Sequence, residues 1–458
     1  MKVLLIQPNN ITYRGTICPP LAVMHVAGVT RQAGHEVKIL DRNLDIWTLK
    51  KIKEFKPDLV GVTTFTGPMI NDAMMVTKFV KKYVGKDVPV VWGGIHPSLL
   101  PEQTMEFADI DYIVRGEELA FPKLIEAIEG KRKIEDVEGI AYRKNGKTIL
   151  TKEQSLIKNL DVLPMLPWDL VAAKKYLDLE IMLVTSRGCP FKCAFCYNEQ
   201  FNKSKWRTFS VERIIKEIQA CEKITKNRLI KLYDDNFMAS KKRAYAILDY
   251  LSPEYSVWME IRANTVNDDL LKRLRKFKRA WVLFGVETGS ERLMKDMAKD
   301  LKISEIKKAF EKLRLEKNIF TCAQVIVDLP TETREEFQST LDLLDSLDST
   351  WPTIQAFMPF PGTRYYRQLE AEGADLPKSL EDWKEYAPDP GKTSLTGQKI
   401  RTYDPKLLKR LNLKYTIKMV INCALRGDIP KLIRRFRDYH VLLAWISNQI
   451  ENKLYPVR

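Results

Sequence analysis

Two series of apolar runs, each alternating with amphipathic segments, constrain the fold of this chain most strongly. Within the first 130 residues, five segments of helical spacing alternate with the strand-like runs "KVLLIQP", "EVKILD", "LVGVTTF", "VPVVWGG" and "DYIVRGE". Strands that are joined by helices pair in parallel, because the crossover helix returns the chain to the same end of the sheet. The pattern therefore predicts an α/β, Rossmann-like doubly wound domain over residues 1–140.

A second alternating series follows a proline-containing connector, which we assign as a linker over residues 141–175. Its strand-like runs are "IMLVTS", "LIKLYDD", "VWMEIRA", "AWVLFGVE", "CAQVIVDLP" and "TIQAFMPF". Six strand–helix repeats fit a partial (β/α)6 barrel of the TIM type over residues 176–365, with its chemistry at the carboxyl ends of the strands. The remaining residues, 366–458, are predicted to form a mostly helical, basic C-terminal region.

Length and cysteine usage indicate the compartment. A chain of 458 residues is expected to hold two or three domains. Its N-terminus, "MKVLLIQPNN", turns polar too early for a signal peptide, and no run approaches the roughly 18 apolar residues that a membrane helix needs. Together with an odd, clustered set of seven cysteines, these features predict a cytoplasmic protein without disulfides and without a membrane partner.

The positive charge is concentrated at the C-terminus. Residues 401–458 contain 13 Lys or Arg against 4 Asp or Glu. These charges could lie on solvated helix faces, or they could form a docking surface for an acidic protein, nucleic acid or phosphorylated substrate. Composition alone does not choose among these interpretations.

Three cysteines in "TSRGCPFKCAFCYNEQ" form the most specific motif: Cys189, Cys193 and Cys196. A structural zinc site would need four ligands, usually in C-x2-C pairs, and the sequence has no second pair. Cys221 falls inside a predicted helix, 211–224, so it is a poor fourth ligand. Soft thiolates also hold iron–sulfur clusters. Three cysteines on a [4Fe–4S] cluster leave one iron open to bind a substrate or cofactor.

The C-x3-C-x2-C spacing, with the aromatic Phe195 before the last cysteine, resembles the signature of the radical S-adenosylmethionine (SAM) superfamily. The resemblance covers about residues 180–365. It implies that the open iron chelates the amino and carboxylate groups of SAM. One electron from the cluster would then cleave the sulfonium and give a 5′-deoxyadenosyl radical. A flavodoxin or ferredoxin is the implied electron donor.

The same resemblance extends to "LYDDNF", "EIRAN", "LFGVETGSERLMKDM", "VIVDLPTETREEF" and "FMPFPGT". It assigns the SAM contacts to Phe195, Asp234, Asp235, Asn236, Arg262, Asn264 and Glu287. Taken singly, the two aspartates and the arginine fit a turn or a surface ion pair equally well. One departure is Thr331, because related chains usually have glycine after Leu-Pro, and it leaves the backbone conformation of that turn open.

The N-terminal half resembles the cobalamin-binding domain that is fused to one radical SAM subfamily, through "CPPLAVMHVAGVTRQAGHEVKILD", "VGVTTFT", "VVWGGIHPSLLPE" and "YIVRGEE". Glycines allow a bulky ligand tail to approach the backbone, and threonines supply hydroxyls. A Rossmann-like accessory domain is the alternative, but the dinucleotide fingerprint G-x-G-x-x-G is absent. The cobalamin contacts are assigned to Pro8, Asn9, Thr16, Ile17, Cys18, Pro19, Thr63, Thr64, Thr66, Gly67, Gly93, Gly94, His96, Pro97, Arg115, Gly116 and Glu117.

The lower face of cobalt lacks an obvious histidine ligand. None of His25, His35 and His96 has an aspartate two residues earlier, so the D-x-H-x-x-G motif of many cobalamin proteins is absent. We expect His25 to pack in the core and His96 to lie near the corrin. The segment 16–19 is a candidate to cover the lower face, where Cys18 either ligates cobalt or, as we prefer, packs.

The two resemblances together imply a cobalamin-dependent radical SAM methyltransferase. One SAM would methylate cob(I)alamin and a second would be cleaved at the cluster. The deoxyadenosyl radical would abstract a hydrogen from an unactivated carbon, and the substrate radical would take a methyl group from methylcobalamin. No catalytic protein nucleophile is identified, and none is required.

The resemblance leaves the substrate open, and the basic C-terminal region favours a macromolecular or acidic substrate. The first candidate is therefore a residue of a protein or peptide, and a nucleic acid partner is not expected. Residues of methyl-coenzyme M reductase, which some family members modify, are one possibility. The alternatives are cyclisation or rearrangement without methylation, and a non-catalytic cobalamin or metal carrier. A methylthiotransferase fits poorly, because Cys18 is the only cysteine upstream of the motif.

Overall fold

The computed structural model describes residues 1–10, 18–384, 386, 403–427 and 439–457. The chain divides into two compact units. The first contains Met1–Ala173 and the described parts of Pro377–Tyr386 and Arg437–Arg458; the second contains Lys174–Leu376 and the described parts of Ala387–Phe436. Among the described residues, no helix combines the length and the apolar character that crossing a membrane requires.

The first unit is built on one seven-stranded sheet. Its strands are β1 (Lys2–Gln7), β2 (Glu36–Asp41), β3 (Leu59–Thr63), β4 (Val90–Gly93), β5 (Tyr112–Val114), β6 (Ile140–Lys144) and β7 (Lys147–Leu150). Their spatial order is β2-β1-β3-β4-β5-β6-β7, with the first five parallel and the last two antiparallel. The doubly wound fold is thus confirmed, and the strand order reverses between β1 and β3, where such sheets bind ligands.

Helices cover this sheet, and two of them come from the far end of the chain. They are α1 (Leu21–Gln32), α2 (Thr48–Phe55), α3 (Met69–Tyr83), α4 (Ile95–Leu99), α5 (Pro101–Met105), α6 (Ala120–Ile128), α16 (Leu380–Trp383) and α18 (Tyr439–Leu454). The described parts of the C-terminal region predicted over 366–458 are mostly helical, and they are divided between the two units.

The linker predicted over 141–175 needs a correction, because it supplies β7 and most of β6 to the sheet. The two strands form a hairpin whose two-residue loop is Asn145-Gly146, with φ values of 52° and 76°. Positive φ at both positions is the geometry that Asn-Gly favours, since it matches the twist of the paired strands. The first unit accordingly continues past residue 140, to Ala173.

The second unit contains a six-stranded parallel sheet in the order β15-β14-β13-β12-β11-β8. Its strands are β8 (Ile181–Leu183), β11 (Leu229–Leu232), β12 (Ser256–Ile261), β13 (Ala280–Glu287), β14 (Ile319–Val327) and β15 (Trp351–Ala356), and a short antiparallel pair joins β9 (Ser186–Arg187) to β10 (Arg207–Thr208). The six predicted repeats of a partial barrel are all present.

Helix α7 (Ala173–Leu177) precedes the first of these strands, further helices follow the strands along the chain, and one long helix packs beneath them. The connecting helices are α8 (Asn198–Phe201), α9 (Val211–Glu222), α10 (Lys241–Leu251), α11 (Asp268–Leu274), α12 (Glu291–Asp296), α13 (Ile303–Arg314), α14 (Arg334–Ser346) and α15 (Arg364–Ala371). Helix α17 (Pro405–Leu425) buries Met419 and Cys423 against Trp281 and Phe320, which lie at the starts of β13 and β14. This helix packs at the amino-terminal ends of β13 and β14, away from the carboxyl ends of the strands where the site is expected.

Candidate cofactor sites

The three motif cysteines lie in one loop after β9, at the end of the first barrel strand: Cys189, Cys193 and Cys196. Backbone hydrogen bonds fasten this loop to two neighbouring segments of the barrel. The Ala194 N–H donates to the Met297 carbonyl at 2.8 Å, and the Ala194 carbonyl accepts from the Tyr365 N–H at 3.1 Å. The cysteine loop is therefore held by the protein itself.

Asp235 holds both ends of the cysteine loop. Its carboxylate accepts from the Gly188 N–H at 2.9 Å and from the Tyr197 hydroxyl at 3.3 Å. Gly188 has φ of +80°, and a β-carbon there would collide with the Lys205 carbonyl oxygen, so only glycine fits. The sequence assigned Asp235 to SAM, and the structure adds a positioning role beside the cluster motif.

Asp234 is buried and turned toward the strand ends. Its carboxylate accepts from the backbone N–H and the hydroxyl of Thr185, both at 2.5 Å, and from those of Ser186 at 3.0 and 2.7 Å. The guanidinium of Arg243 lies 3.6 Å away and completes a buried ion pair. These contacts engage both carboxylate oxygens and fix the chain between β8 and β9.

Cys193 is buried, Cys189 and Cys196 are partly exposed, and the three thiols are close enough to influence one another's pKa. Burial of the thiol, with smaller contributions from Cys193, Asp235 and Cys189, raises the pKa of Cys196 to about 12. A cationic cluster would replace the thiol protons and relieve this cost, since thiolates are the form that binds metal. In the described part of the chain, no three ligating side chains converge on a point that would hold a single metal ion. The three thiols on one loop fit a cluster through their soft donor chemistry.

Unpartnered polar atoms lie beside the cysteine loop. The Asn236 amide nitrogen is 3.9 Å from the Cys189 sulfur, and its Oδ1 is buried with no hydrogen-bond partner among the described residues. The Arg262 guanidinium lies 3.6 Å above the Phe191 ring centroid and donates to the Asp300 carbonyl at 2.5 Å, but its Nε has no such partner. Buried polar atoms of this kind are normally satisfied, so the site fits a polar ligand such as SAM.

Glu287 ends β13 in a left-handed conformation, with φ of +63°, and forms a buried ion pair with Lys299. Burial alone would lower the pKa of Lys299, but Glu287 and Cys193 more than offset that effect, so its pKa is raised and the ammonium stays charged. Its Nζ also lies 5.9 Å from the ring centroid of Phe195. Asn264, in contrast, is exposed.

Lys299 was not predicted from the sequence. It stands in the charged stretch "MKDMAKD", which reads as a solvated surface, and no local pattern distinguishes it from its neighbours.

Most of the predicted cobalamin residues follow the carboxyl ends of β1, β3, β4 and β5. The strands run in parallel register, with Ile6 opposite Val62 and Thr63 opposite Gly93, so these ends meet at one edge of the sheet. Of the segment before α1, Thr16 and Ile17 lie outside the described residues, and Cys18 is exposed.

Two of the four glycines predicted at this edge leave no room for a β-carbon. Gly94 has φ of +96°, and a β-carbon there would lie 2.6 Å from the Thr64 carbonyl oxygen. Gly67 has φ of +120°, and its β-carbon would lie 2.6 Å from the Tyr386 carbonyl oxygen. At Gly93 the nearest atom would be 3.7 Å away, so the fold itself does not demand glycine there.

His96 lies at this edge but is fully buried. Its Nδ1 is 3.1 Å from the Thr66 hydroxyl, and its ring packs edge-on against Trp383 of α16 at 5.5 Å. Burial lowers the pKa of His96 to about 3, so the imidazole is neutral. Its Nε2 and the Thr64 hydroxyl are buried without partners among the described residues, which fits a polar cofactor tail at this edge.

Two other predicted cobalamin contacts, Arg115 and Glu117, form hydrogen bonds to the protein backbone. The Glu117 carboxylate accepts from the Ile157 N–H, and Arg115 donates to the Thr151 carbonyl at 3.5 Å, so both hold the segment after β7. His25 is buried, 4.0 Å from the Glu118 carboxylate, as expected of a packed core residue.

Comparison with known proteins agrees with both halves of this description. Residues 10–125 match the B12 binding domain family, and residues 183–344 match the Radical SAM superfamily. The chain is 34% identical over 403 residues to an uncharacterized methyltransferase of Pyrococcus horikoshii, covering 84% of this chain and 86% of that one. It is 27% identical over 397 residues to the anaerobic magnesium-protoporphyrin IX monomethyl ester cyclase of Cereibacter sphaeroides, covering 81% and 64%.

Among solved structures, the radical S-adenosylmethionine methyltransferase TsrM from Kitasatospora setae, with tryptophan substrate and a SAM analog bound, has a TM-score of 0.70 at 18% identity, covering 82% of this chain and 77% of that one. At that identity the likeness concerns the fold. Fold and site together define an enzyme that joins a cobalamin-binding domain to a radical SAM domain. The chain belongs to the family of cobalamin-dependent radical SAM methyltransferases, and its cofactors are a [4Fe–4S] cluster, SAM and cobalamin.

Proposed function

We propose that this enzyme methylates an unactivated carbon of a protein or peptide residue. The observation that carries the radical step is the set of exactly three motif thiols. The other cysteines of the second unit are buried elsewhere: Cys221 in α9, Cys322 in β14 and Cys423 in α17. A fourth ligand position is thus left for SAM. Radical chemistry is needed where the carbon is not nucleophilic, because a nucleophilic carbon can be methylated without hydrogen abstraction.

The cluster, SAM and cobalamin supply the radical and the methyl group, and the protein supplies binding and orientation. Asp235 and Gly188 keep the cysteine loop in one conformation. Arg262 and the Glu287–Lys299 pair present fixed charges beside it, within a buried setting where electrostatic contacts are strengthened. None of these side chains needs to act as a nucleophile.

The outer face of α17 supports a macromolecular substrate. Four apolar side chains on this face are more than half exposed: Leu413, Ile417, Ile421 and Leu425. They recur every four residues and form an apolar stripe about 18 Å long. Exposed apolar stripes of this size often mark protein interaction sites. The first turns of the helix add the exposed cations Lys406, Lys409 and Arg410, which favour an acidic partner.

The test is an anaerobic assay of the reconstituted enzyme with SAM, cobalamin, a low-potential reductant and a candidate protein. Methyl-coenzyme M reductase peptides are a first choice of substrate. We expect 5′-deoxyadenosine and a CH2 mass gain at a carbon atom, both lost in Cys193→Ala. Methylation that persists in Cys193→Ala, or that occurs at a nitrogen or oxygen, would contradict the proposal.

The substrate class is tested separately with Ile417→Ser and Ile421→Ser. Both side chains lie on the exposed face, so the fold and the cleavage of SAM should be unaffected. If a protein docks on α17, these changes should raise the KM for that protein without altering the rate of methyl transfer at saturation. An unchanged KM would show that the protein substrate does not dock on α17.

Cyclisation without methylation is a second candidate, favoured by the similarity to the cyclase of Cereibacter sphaeroides. It predicts 5′-deoxyadenosine together with a product that gains no CH2. A non-catalytic carrier predicts cobalamin binding with no cleavage of SAM at all. One product analysis by mass spectrometry therefore separates the three functions.

A further inference from the structure

The C-terminal helix α18 turns a polar face into the first unit. Ser447, Asn448 and Glu451 lie on one side of the helix and are at most 5% exposed. Glu451 is a fully buried carboxylate, and such a group is retained only where other groups compensate its charge. Ile446, Ile450 and Leu454 of the same helix are exposed.

The start of α2 lacks a cap of its own. Its N-cap residue is Trp47, in a left-handed conformation with φ of 54°, and no local side chain accepts a hydrogen bond from the first turn. The first turn also contains no acidic residue. Helix N-termini expose unpaired N–H groups and a partial positive charge, so a buried start needs acceptors from elsewhere.

Helix α18 supplies those acceptors. Glu451 accepts from the Lys50 N–H at 3.0 Å and from the Thr48 hydroxyl at 3.2 Å. Ser447 accepts from the Trp47 N–H at 2.7 Å. The carboxylate of Glu451 thereby caps α2 from about 400 residues away along the chain.

The same contacts continue into the loops at the carboxyl ends of β1 and β2. Arg42, directly after β2, is fully buried and forms a two-pronged ion pair with Asp72, with N–O distances of 2.7 and 3.0 Å. Its Nη1 also donates to the Thr48 hydroxyl. The Arg42 carbonyl accepts from the Asn448 amide at 2.8 Å.

Asn9, directly after β1, is held by the same two residues. Its N–H donates to the Asp72 carboxylate at 2.7 Å, and its side-chain amide donates to the Arg42 carbonyl at 3.0 Å. Asn9 stands at the switch in strand order, where the ligand of a doubly wound sheet is bound. The Arg42 carbonyl oxygen thus accepts hydrogen bonds both from Asn9, a predicted cobalamin contact, and from Asn448 of α18.

We propose that Asn448 and Glu451 are positioning residues of the cobalamin site, which hold the loops after β1 and β2 in the conformation that binds the cofactor. Helix α18 then contributes to cobalamin binding, although it comes from the C-terminal end of the described chain. The proposal rests on the family's cofactor and on the predicted contact of Asn9, and it does not depend on the substrate.

The test is a titration of the full-length apo-protein with hydroxocobalamin, followed by the quenching of tryptophan fluorescence and by the absorption spectrum of the bound cofactor. We expect Glu451→Ala and Asn448→Ala to raise the Kd at least tenfold. Glu451→Gln should recover most of the affinity, because the amide oxygen can still accept from Lys50. The matched control is Ile450→Ala, whose side chain is exposed on the same helix.

Far-UV circular dichroism at the titration temperature identifies the variants that are folded. If Glu451→Ala does not fold, Asn448→Ala decides the matter, because it keeps the carboxylate that caps α2 and removes the hydrogen bond to the Arg42 carbonyl together with a longer contact, of 3.5 Å, to the Thr48 hydroxyl. A folded variant with a lower melting temperature and an unchanged Kd would show a purely structural role and overturn the proposal. Equal weakening in Ile450→Ala would overturn it as well.

Discussion

Thr331 has a strained backbone conformation, and a single substitution to glycine should remove that strain. It follows Leu-Pro after β14 and has φ of +67°, in the left-handed region that glycine adopts freely and a β-branched residue very rarely. The turn therefore adopts a conformation that glycine would favour, although the sequence has threonine here. We predict that Thr331→Gly stabilises the second unit.

The size of the effect follows from two opposing contributions. Left-handed backbone costs a residue other than glycine about 1–2 kcal/mol. Glycine loses more conformational freedom on folding, which costs about 0.4–1 kcal/mol. The Thr331 side chain is exposed, its hydroxyl is 3.4 Å from Arg292, and the stronger hydrogen bond of Arg292, at 2.8 Å, goes to the carbonyl that glycine keeps. The net gain is about 0.5–1 kcal/mol.

Chemical denaturation, and the melting temperature in differential scanning calorimetry, measure this gain. A domain of this size should gain roughly 2–3 °C per such change. Thr331→Ala keeps the left-handed penalty and should gain less than the glycine variant, and Thr331→Asn should lie between the two. If the alanine variant were as stable as the glycine variant, the backbone would not be the source of the strain.

The alternation of strands and helices could be read from the sequence because parallel strands are buried on both faces. Runs such as "LVGVTTF" and "AWVLFGVE" are then continuously apolar and stand out against amphipathic helices. The β6–β7 hairpin was missed although Asn145-Gly146 marks it, because its strands are short and partly exposed. The capping of α2 by Glu451 could not be predicted, because a single charged residue in a helix normally lies on the surface.

The candidate site divides in the same way. Cluster cysteines must lie close together in one loop, so their spacing is a local signal. Lys299 and Trp383 reach their places only through the tertiary fold. Asp234 and Asp235 illustrate a third case: neighbouring residues in extended chain point to opposite sides, so the first binds the strand ends and the second binds the cysteine loop. The identity of the two residues in the motif could not by itself assign these different roles.

Three further predictions concern buried polar and aromatic groups. Asp234→Ala leaves the Arg243 guanidinium buried without its carboxylate, so denaturation should show a loss of about 3–5 kcal/mol, with a smaller loss in Asp234→Asn. Trp383→Ala should lower the free energy of unfolding of the first unit by about 3–5 kcal/mol. It should also expose His96, and NMR should then show the pKa of His96 rising from about 3 toward its ordinary value. Burial raises the pKa of Glu332 to about 7, so the folded state favours its protonated form. The stabilisation is complete below the unfolded pKa of about 4.5 and is lost as the pH rises through 7, a change on the order of 3 kcal/mol. Glu332→Gln, which can still accept from the Asp328 N–H, should remove this slope in the free energy of unfolding between pH 5 and pH 8, and an unchanged slope would show that another group is responsible.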